Sequence, residues 1–385
     1  MRYSADNNSI DHISLLSELI EFPSINPPGD EEQISEFIYE FMTNNKIETI
    51  RVPVTEKRNN IISRLKGKNS ENGIIFTGHM DVVPVSLEEK QKWISEPFTP
   101  KIKENKIYGR GSCDMKSGLA AAMISMVRLA RSNTIPERDN YLVATVDEED
   151  SMLGSKELWN HPLLLNATEV IVCEPTKLKV CTASRGRTYG LITVKGQTGH
   201  GSSFKKENNA ILIANLIIEK MLQTNFDEFA NPEYGDSFWQ PLAINAGVEP
   251  CVVPDICTMK IDARLTIGHN PKDIWSKLNS ILNEIYSVYP NINIEYNIID
   301  EREPWETDKN SKLYKKVKDT FNEMGLPLET DYFPGTTDGT ILRRANREVL
   351  IIGPGDLKYA HRENEHISIA EYELAIEMYY KIMQK

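Results

Sequence analysis

Positive charge is in short supply in this sequence: 44 Lys and Arg face 56 Asp and Glu, a formal net charge of −12 over 385 residues. That balance speaks against a nucleic-acid or anionic-membrane surface, both of which need clustered Lys and Arg. Small molecules are the expected partners. The chain also lacks any uncharged apolar run long enough to span a bilayer. Its first twenty residues mix Arg2, Asp6, Asp11 and Glu18 with the apolar ones, giving neither the basic flank nor the apolar core of a signal peptide. Cysteines are few, scattered and odd in number (Cys113, Cys173, Cys181, Cys251 and Cys257), with no CxxC pair. This fits free thiols in a reducing compartment better than a disulfide framework, so a cytoplasmic location is expected.

Two signatures of other enzyme classes are missing as well. In Gly109-Arg110-Gly111-Ser112-Cys113-Asp114-Met115-Lys116-Ser117, Met115 stands where a phosphate-binding loop needs the glycine before its lysine. Neither Ser112 nor Ser202 is framed by a G-x-S-x-G elbow. Nucleotide binding and a serine nucleophile are therefore not expected.

What is present is an ordinary globular composition, 40% hydrophobic and 26% charged, in a chain long enough that one core stops growing and two domains are the default. Helical periodicity at residues 10–20 and 31–42 alternates with strand-like runs at 60–65 and 73–76. A helix at 116–129 and apolar strands at 141–146 and 170–173 continue an α/β pattern. From about Cys181 the order changes to strand (190–195), helix (209–222), two strands (242–247 and 257–266), helix (271–286) and strand (292–296), the βαββαβ ferredoxin-like order. After Glu301 the α/β character returns, with a helix at 311–324, a strand at 349–352 and a helix at 370–383. The simplest architecture is an α/β domain with a central mixed sheet, residues 1–181 and 299–385, interrupted by an inserted α+β domain, residues 182–298.

The candidate chemistry sits directly after apolar strands. Ile74-Ile75-Phe76-Thr77-Gly78 leads to His79, Leu142 to Val146 leads to Asp147-Glu148-Glu149, and Val170 to Cys173 leads to Glu174. In a parallel α/β sheet ligands bind beyond the C-terminal strand ends, where distant residues converge. Asp114 follows the turn-like Tyr108-Gly109-Arg110-Gly111. His361 comes after the strand at 349–352 and the turn Gly353-Pro354-Gly355. Alone, an acidic residue at a strand end is more often a helix cap or a solvated charge, so the set carries the inference. Two His and three carboxylates suit zinc, with cobalt or manganese as substitutes. Three carboxylates also hold charge enough for two dications, provided one bridges ions roughly 3.5–4 Å apart; Asp114 is assigned that place. Asp81 is expected to accept a hydrogen bond from the second nitrogen of His79 and orient it. Glu148, beside Glu149, is the expected general base, taking a proton from water as it attacks an amide carbonyl and passing it to the leaving nitrogen.

Gly78-His79-Met80-Asp81-Val82-Val83-Pro84, Tyr108-Gly109-Arg110-Gly111 with Asp114-Met115-Lys116, Asp147-Glu148-Glu149, Glu174-Pro175-Thr176 and Ala360-His361 together resemble a metallopeptidase family. It includes acetylornithine deacetylase, succinyl-diaminopimelate desuccinylase, aminoacylase-1 and glutamate carboxypeptidase. The resemblance implies a zinc-peptidase-like catalytic domain and an inserted lid domain that commonly forms a homodimer. It implies two zinc ions, one held by His79, Asp114 and Glu174, the other by Asp114, Glu149 and His361. Within Thr198-Gly199-His200-Gly201-Ser202, it makes His200 the residue that stabilises the oxyanion, often in the partner subunit. It assigns the substrate carboxylate to Asn245, Arg264, Gly335 and Thr336. Two departures stand out. Ser202-Ser203-Phe204 lacks the usual following Pro, and Arg185-Gly186-Arg187 occupies a place where acetylornithine deacetylases tend to have Lys-Gly. The two Arg suit a more acidic acyl or side-chain group, with Arg185 taken as substrate-binding. The implied reaction is hydrolysis of an N-acyl amino acid. A dipeptidase or carboxypeptidase is the enzymatic alternative, and a binding protein without catalysis is the alternative from another class.

Overall fold

The computed structural model describes residues 11–132, 134–202, 205–226, 231–247 and 251–385. The first ten residues of the N-terminal stretch and Ser203-Phe204 lie outside it. The chain forms two compact units, one of Met1–Ala183, Thr307–Phe333 and Thr337–Lys385, the other of Ser184–Glu306 with Pro334–Thr336.

The first unit is built on a mixed sheet in the order Glu48–Thr55, Arg58–Leu65, Arg138–Thr145, Asn69–His79, Ala167–Val172, Glu348–Ile351, Val180–Ser184. Its middle four strands, from Arg138–Thr145 to Glu348–Ile351, pair in parallel, and the flanking pairs are antiparallel. Arg138–Thr145 is buried along its whole length, as expected of a central strand covered on both faces. The helix Lys116–Arg131 packs against Ile369–Gln384 and His12–Glu21. Ala120, Ala121 and Ala122 lie in its fully buried stretch, and Ser125 Oγ bonds the Ile376 carbonyl at 2.8 Å. At Gly118 the helix comes so close to a strand end that an added Cβ would lie 1.9 Å from the Cys173 carbonyl oxygen. Only glycine fits there, and the contact fixes the start of this helix against the residue before Glu174. Among the described residues no helix is long and apolar enough to cross a membrane.

The second unit runs Gly186–Lys195, helix Ala210–Gln223, Phe238–Ala246, Ile256–Leu265, helix Pro271–Val288, Asn293–Arg302. Its antiparallel sheet places Gly186–Lys195 between Ile256–Leu265 and Asn293–Arg302, with Phe238–Ala246 at the edge, the ferredoxin-like arrangement. Both helices cover one face over a separate core that includes Ile192, Ile217, Met259, Ile261 and Trp275. On Gly186–Lys195 burial alternates strictly, leaving Arg187, Tyr189, Leu191 and Thr193 on the other face. The last strand continues past residue 298, to Arg302.

Candidate metal centre

The parallel strands deliver their acidic and imidazole residues to one place in the first unit. His79 is the last residue of its strand; Glu148 and Glu149 follow Arg138–Thr145, and Glu174 follows Ala167–Val172. His79 Nε2 lies 3.2 Å from Asp114 Oδ1 and 3.6 Å from Glu174 Oε1. His361 Nε2 lies 3.3 Å from the other Asp114 oxygen, Oδ2, and 2.9 Å from Glu149 Oε1. One Asp114 oxygen thus faces each imidazole. Two donors on one tetrahedral zinc at about 2.1 Å each lie roughly 3.4 Å apart, so these spacings match pairs of ligands around two ions. Within 4.8 Å of one another also lie His79, Asp114 and Glu149, and His79, Glu148 and Glu174. His361 takes a positive φ of 58°, a backbone region sparsely used outside turns and functional sites.

The electrostatics describe a site crowded with anions. Burial, reinforced by the neighbouring Asp114 charge, pushes the Glu174 carboxyl well above its ordinary range; Glu149 is also raised by burial, against the pull of His361. Burial disfavours charge on the imidazoles too, but the carboxylates outweigh it. The nearby carboxylates of Asp114, Asp81 and Glu174 raise His79 well above its usual value, and Asp114 and Glu149 bring His361 up to about 11. Protons thus stand in for cations. A set of two imidazoles and three carboxylates converging this tightly fits a pair of divalent ions.

The protonated His361 has a consequence for the metal-free protein. Its folded value lies above the ordinary 6.5, so the stability it contributes is complete below about pH 6.5 and is lost as pH rises towards 11. The melting temperature of the metal-free wild type is expected to exceed that of His361→Gln at pH 6, with the gap closing by pH 10. Comparing the two cancels titrating groups remote from His361, and a gap that widens with pH would rule this linkage out.

A family model described as peptidase family M20/M25/M40 matches residues 75–385. The chain belongs to that family. It is 27% identical over 367 residues to an acetylornithine deacetylase of Buchnera aphidicola, covering 92% of each. It is 28% identical over 382 residues to a succinyl-diaminopimelate desuccinylase of Coxiella burnetii, covering 97% of this chain and 98% of that one. A tripeptidase of Staphylococcus aureus shares the fold with a TM-score of 0.81 at 20% identity, covering 97% of both chains. A dinuclear metal binding peptidase of the M20 family from Bacillus subtilis superposes with a TM-score of 0.74 at 14% identity, over 97% of this chain and 96% of that one.

In this M20-family chain the supporting groups differ in detail from the sequence expectation. His79 Nδ1 bonds the backbone carbonyl of Asp81 at 2.9 Å, and the Asp81 carboxylate is 3.6 Å away. That carboxylate instead accepts the backbone N–H groups of Glu148 and Glu149 at 3.2 and 3.1 Å and Asn26 Nδ2 at 2.8 Å. Asp81 thereby ties both adjacent glutamates to the His79 strand. Asn26 also reaches Asp147 at 3.1 Å, and Arg58 clamps Asp147 (2.8 Å) and the fully buried Glu31 (2.5 and 2.8 Å). The loop that carries Glu148 and Glu149 rests on this buried network. Lys116, of the dismissed phosphate-loop likeness, is buried and donates to the Phe22 carbonyl at 2.7 Å.

A second support was also not read from the sequence. Glu365, fully buried, accepts the N–H groups of Cys113 and Asp114 on one oxygen (2.9 and 3.0 Å) and Arg110 Nη1 on the other at 2.7 Å. It lies four residues after His361, so it ties the backbone of Asp114 to the His361 loop. In Glu365→Gln an amide N–H₂ must face one of these donors. Breaking a buried pair costs about 3–5 kcal/mol, and outer partners of metal ligands are worth about 10–100-fold in metal affinity. Denaturant unfolding and metal titration of this variant are expected to show both losses; unchanged stability would remove Glu365 from this role.

The remaining expected residues lie in the second unit. His200 is exposed, its Nδ1 within 2.7 Å of Ser202 Oγ. Asn245 is exposed on the edge strand opposite Thr258. Gly335 accepts Ser184 Oγ through its carbonyl at 2.8 Å, and Thr336 Oγ1 accepts Arg302 Nη1 at 3.1 Å. Arg185 points both terminal nitrogens at backbone carbonyls, those of Tyr234 (2.6 Å) and Asp236 (2.9 Å). These bonds occupy the fork with which it was expected to hold substrate. Arg264 bonds Asp262 through Nε at 2.8 Å.

Proposed function

We propose that this chain is a dinuclear metal-dependent amidohydrolase that cleaves N-acyl amino acids, releasing a carboxylate and a free amine. The observation that carries the reading is the placement of one Asp114 oxygen beside His79 and the other beside His361. His79, Asp114 and Glu174 would hold one ion and Asp114, Glu149 and His361 the other; zinc suits this nitrogen and oxygen set, with cobalt or manganese able to replace it. When bound, such a pair supplies Lewis-acid polarisation of the amide carbonyl and acidifies water.

Glu148 is the general base. Its backbone N–H on Asp81 anchors it, and it lies close to His79 and Glu174. It accepts a proton from water as the water oxygen adds to the amide carbon. When the C–N bond breaks, the same carboxyl gives that proton to the leaving nitrogen. Asp81 holds the Glu148-Glu149 backbone in place. His200 is the donor to the developing oxyanion, and Asn245, Arg264, Gly335 and Thr336 bind the substrate carboxylate. The second unit serves as the lid and dimerisation domain of a cytoplasmic homodimer.

The deacetylase and desuccinylase relatives support an acyl amino acid over a peptide. The test is a panel of N-acetyl amino acids, N-succinyl amino acids and dipeptides given to metal-reconstituted protein, with released amine as readout. Turnover of N-acyl amino acids at least tenfold above dipeptides is expected. The reverse order would make it a dipeptidase, and no turnover with metal bound would leave a binding protein.

A further inference from the structure

A cavity of about 560 Å³ opens on the first unit, lined by residues that the proposed hydrolysis does not use. Small-ligand pockets span about 300–1,000 Å³, so there is room for a compact molecule. Three segments enclose it: residues 177–179 just past Glu174, the end of the helix Lys312–Glu323 with Leu326 beyond it, and the first turns of Ile369–Gln384. Its wall is mostly apolar, with Leu178, Phe321 and Met378 buried and Leu326 and Leu374 half-buried.

The charged groups on this wall are not equally engaged. Lys177 is paired with Asp356 at 2.8 Å, and Lys179 with Glu329 at 3.3 Å and Asp331 at 3.5 Å. An anionic ligand would have to compete with those carboxylates. Glu371, which also lines the cavity, forms no ion pair among the described residues. Its Oε1 accepts the Gly355 N–H at 2.9 Å, and among the same residues Oε2 accepts no hydrogen bond. An uncommitted carboxylate oxygen beside an apolar wall suits a cation with an apolar body, since a charge-assisted hydrogen bond offsets the cost of burying the carboxylate.

Glu371 also connects the cavity to the metal ligands. The carbonyl of Gly355, the residue it holds, accepts the Lys177 N–H at 2.7 Å, three residues past Glu174. The next residue, Asp356, accepts Cys113 Sγ through its carbonyl at 3.4 Å, directly before Asp114, and the chain then runs on to His361. Gly355 has no slack on that side: an added Cβ would lie 2.7 Å from Cys113 Sγ. Movement of Gly355 therefore reaches the segments that carry Asp114, Glu174 and His361.

We propose that this cavity is an effector site for a small apolar ammonium ion, either an alkylamine or an amino acid with an apolar side chain, which binds Glu371 and alters metal affinity through Gly355. The apolar body lies against Leu178, Phe321, Leu374 and Met378, and the ammonium group bonds Glu371 Oε2. The site goes beyond the amidohydrolase reading, and no substrate is needed to test it.

The test is titration calorimetry of hexylammonium and L-leucine into the metal-free and the zinc-loaded protein, with hexanol and hexanoate as controls. At least one ammonium compound is expected to saturate a single site per chain, at least tenfold tighter than either control, and which of the two binds tells an amine from an amino acid. Its affinity is expected to differ at least fivefold between the metal-free and zinc-loaded forms, since coupling between two sites is reciprocal. Glu371→Gln keeps an oxygen for the Gly355 N–H but loses the charge, so binding weakens at least tenfold. Leu374→Trp fills the cavity, leaves Glu371 in place and abolishes binding. Three results overturn the site: no saturable binding at millimolar concentration, binding no tighter than that of hexanol, or binding unchanged in folded Glu371→Gln or Leu374→Trp. Equal affinity in the metal-free and zinc-loaded forms overturns its role as an effector site.

Discussion

Glu148→Gln is expected to lower kcat by about 100- to 10,000-fold, the usual contribution of a positioned general base, while metal content stays at the wild-type level. The amide keeps the size of the carboxyl but cannot take up a proton at neutral pH. The loop is held through main-chain N–H groups bonded to Asp81, which the substitution leaves in place. Glu149→Gln is the informative partner. Glu149 Oε1 is 2.9 Å from His361 Nε2, within a ligand grouping, so this variant is expected to lose metal as well as turnover. Glu148 also lies within reach of His79 and Glu174, so distances alone do not separate base from ligand. The contrast in metal content does. Loss of metal in Glu148→Gln, with retention in Glu149→Gln, would exchange the two roles.

Asp114→Ala is expected to have the largest effect. It removes a carboxylate that touches both imidazoles, at 3.2 and 3.3 Å, so affinity at both ion positions falls together. Outer partners alone are worth about 10–100-fold in metal affinity, so loss of a shared ligand is expected to exceed about 100-fold and to take turnover with it. Metal content after dialysis and kcat measured with excess metal check the two parts separately. Retention of one tightly bound ion would mean that Asp114 serves a single position and is not shared.

Much of this site was legible because its residues follow strands. A hydrophobic run ending in His79, Glu149 or Glu174 states both where the side chain begins and at which sheet edge it emerges, and the structure brings these residues together. His361 had no such signal. It lies nine positions beyond Ile352, past the Gly353-Pro354-Gly355 turn, its backbone is left-handed, and its place among the ligands leaned mainly on the resemblance. The buried support was invisible for another reason. Asn26, Glu31, Arg58 and Glu365 act through partners 27 to 255 positions away, and a polar residue in a loop or at a helix start has an ordinary local explanation. Arg185 shows the converse. Its type suited a carboxylate, but the Tyr234 and Asp236 carbonyls hold its fork. The edge strand Glu48–Thr55 went unread because its residues are exposed or half-buried and give no apolar run.

Four side chains around one shared carboxylate imply a defined stoichiometry. In the metal-free protein at neutral pH, His361 is protonated because its value is raised to about 11, and His79 is raised well above its ordinary range. Binding must displace these protons. Calorimetric titration of zinc into the metal-free protein at pH 7, repeated in buffers of different ionisation enthalpy, measures ions bound and protons released together. About two ions per chain with release of about two protons or more is the predicted result. Fewer than one ion per chain, or uptake without proton release, would contradict a dinuclear centre built from His79, Asp114, Glu149, Glu174 and His361.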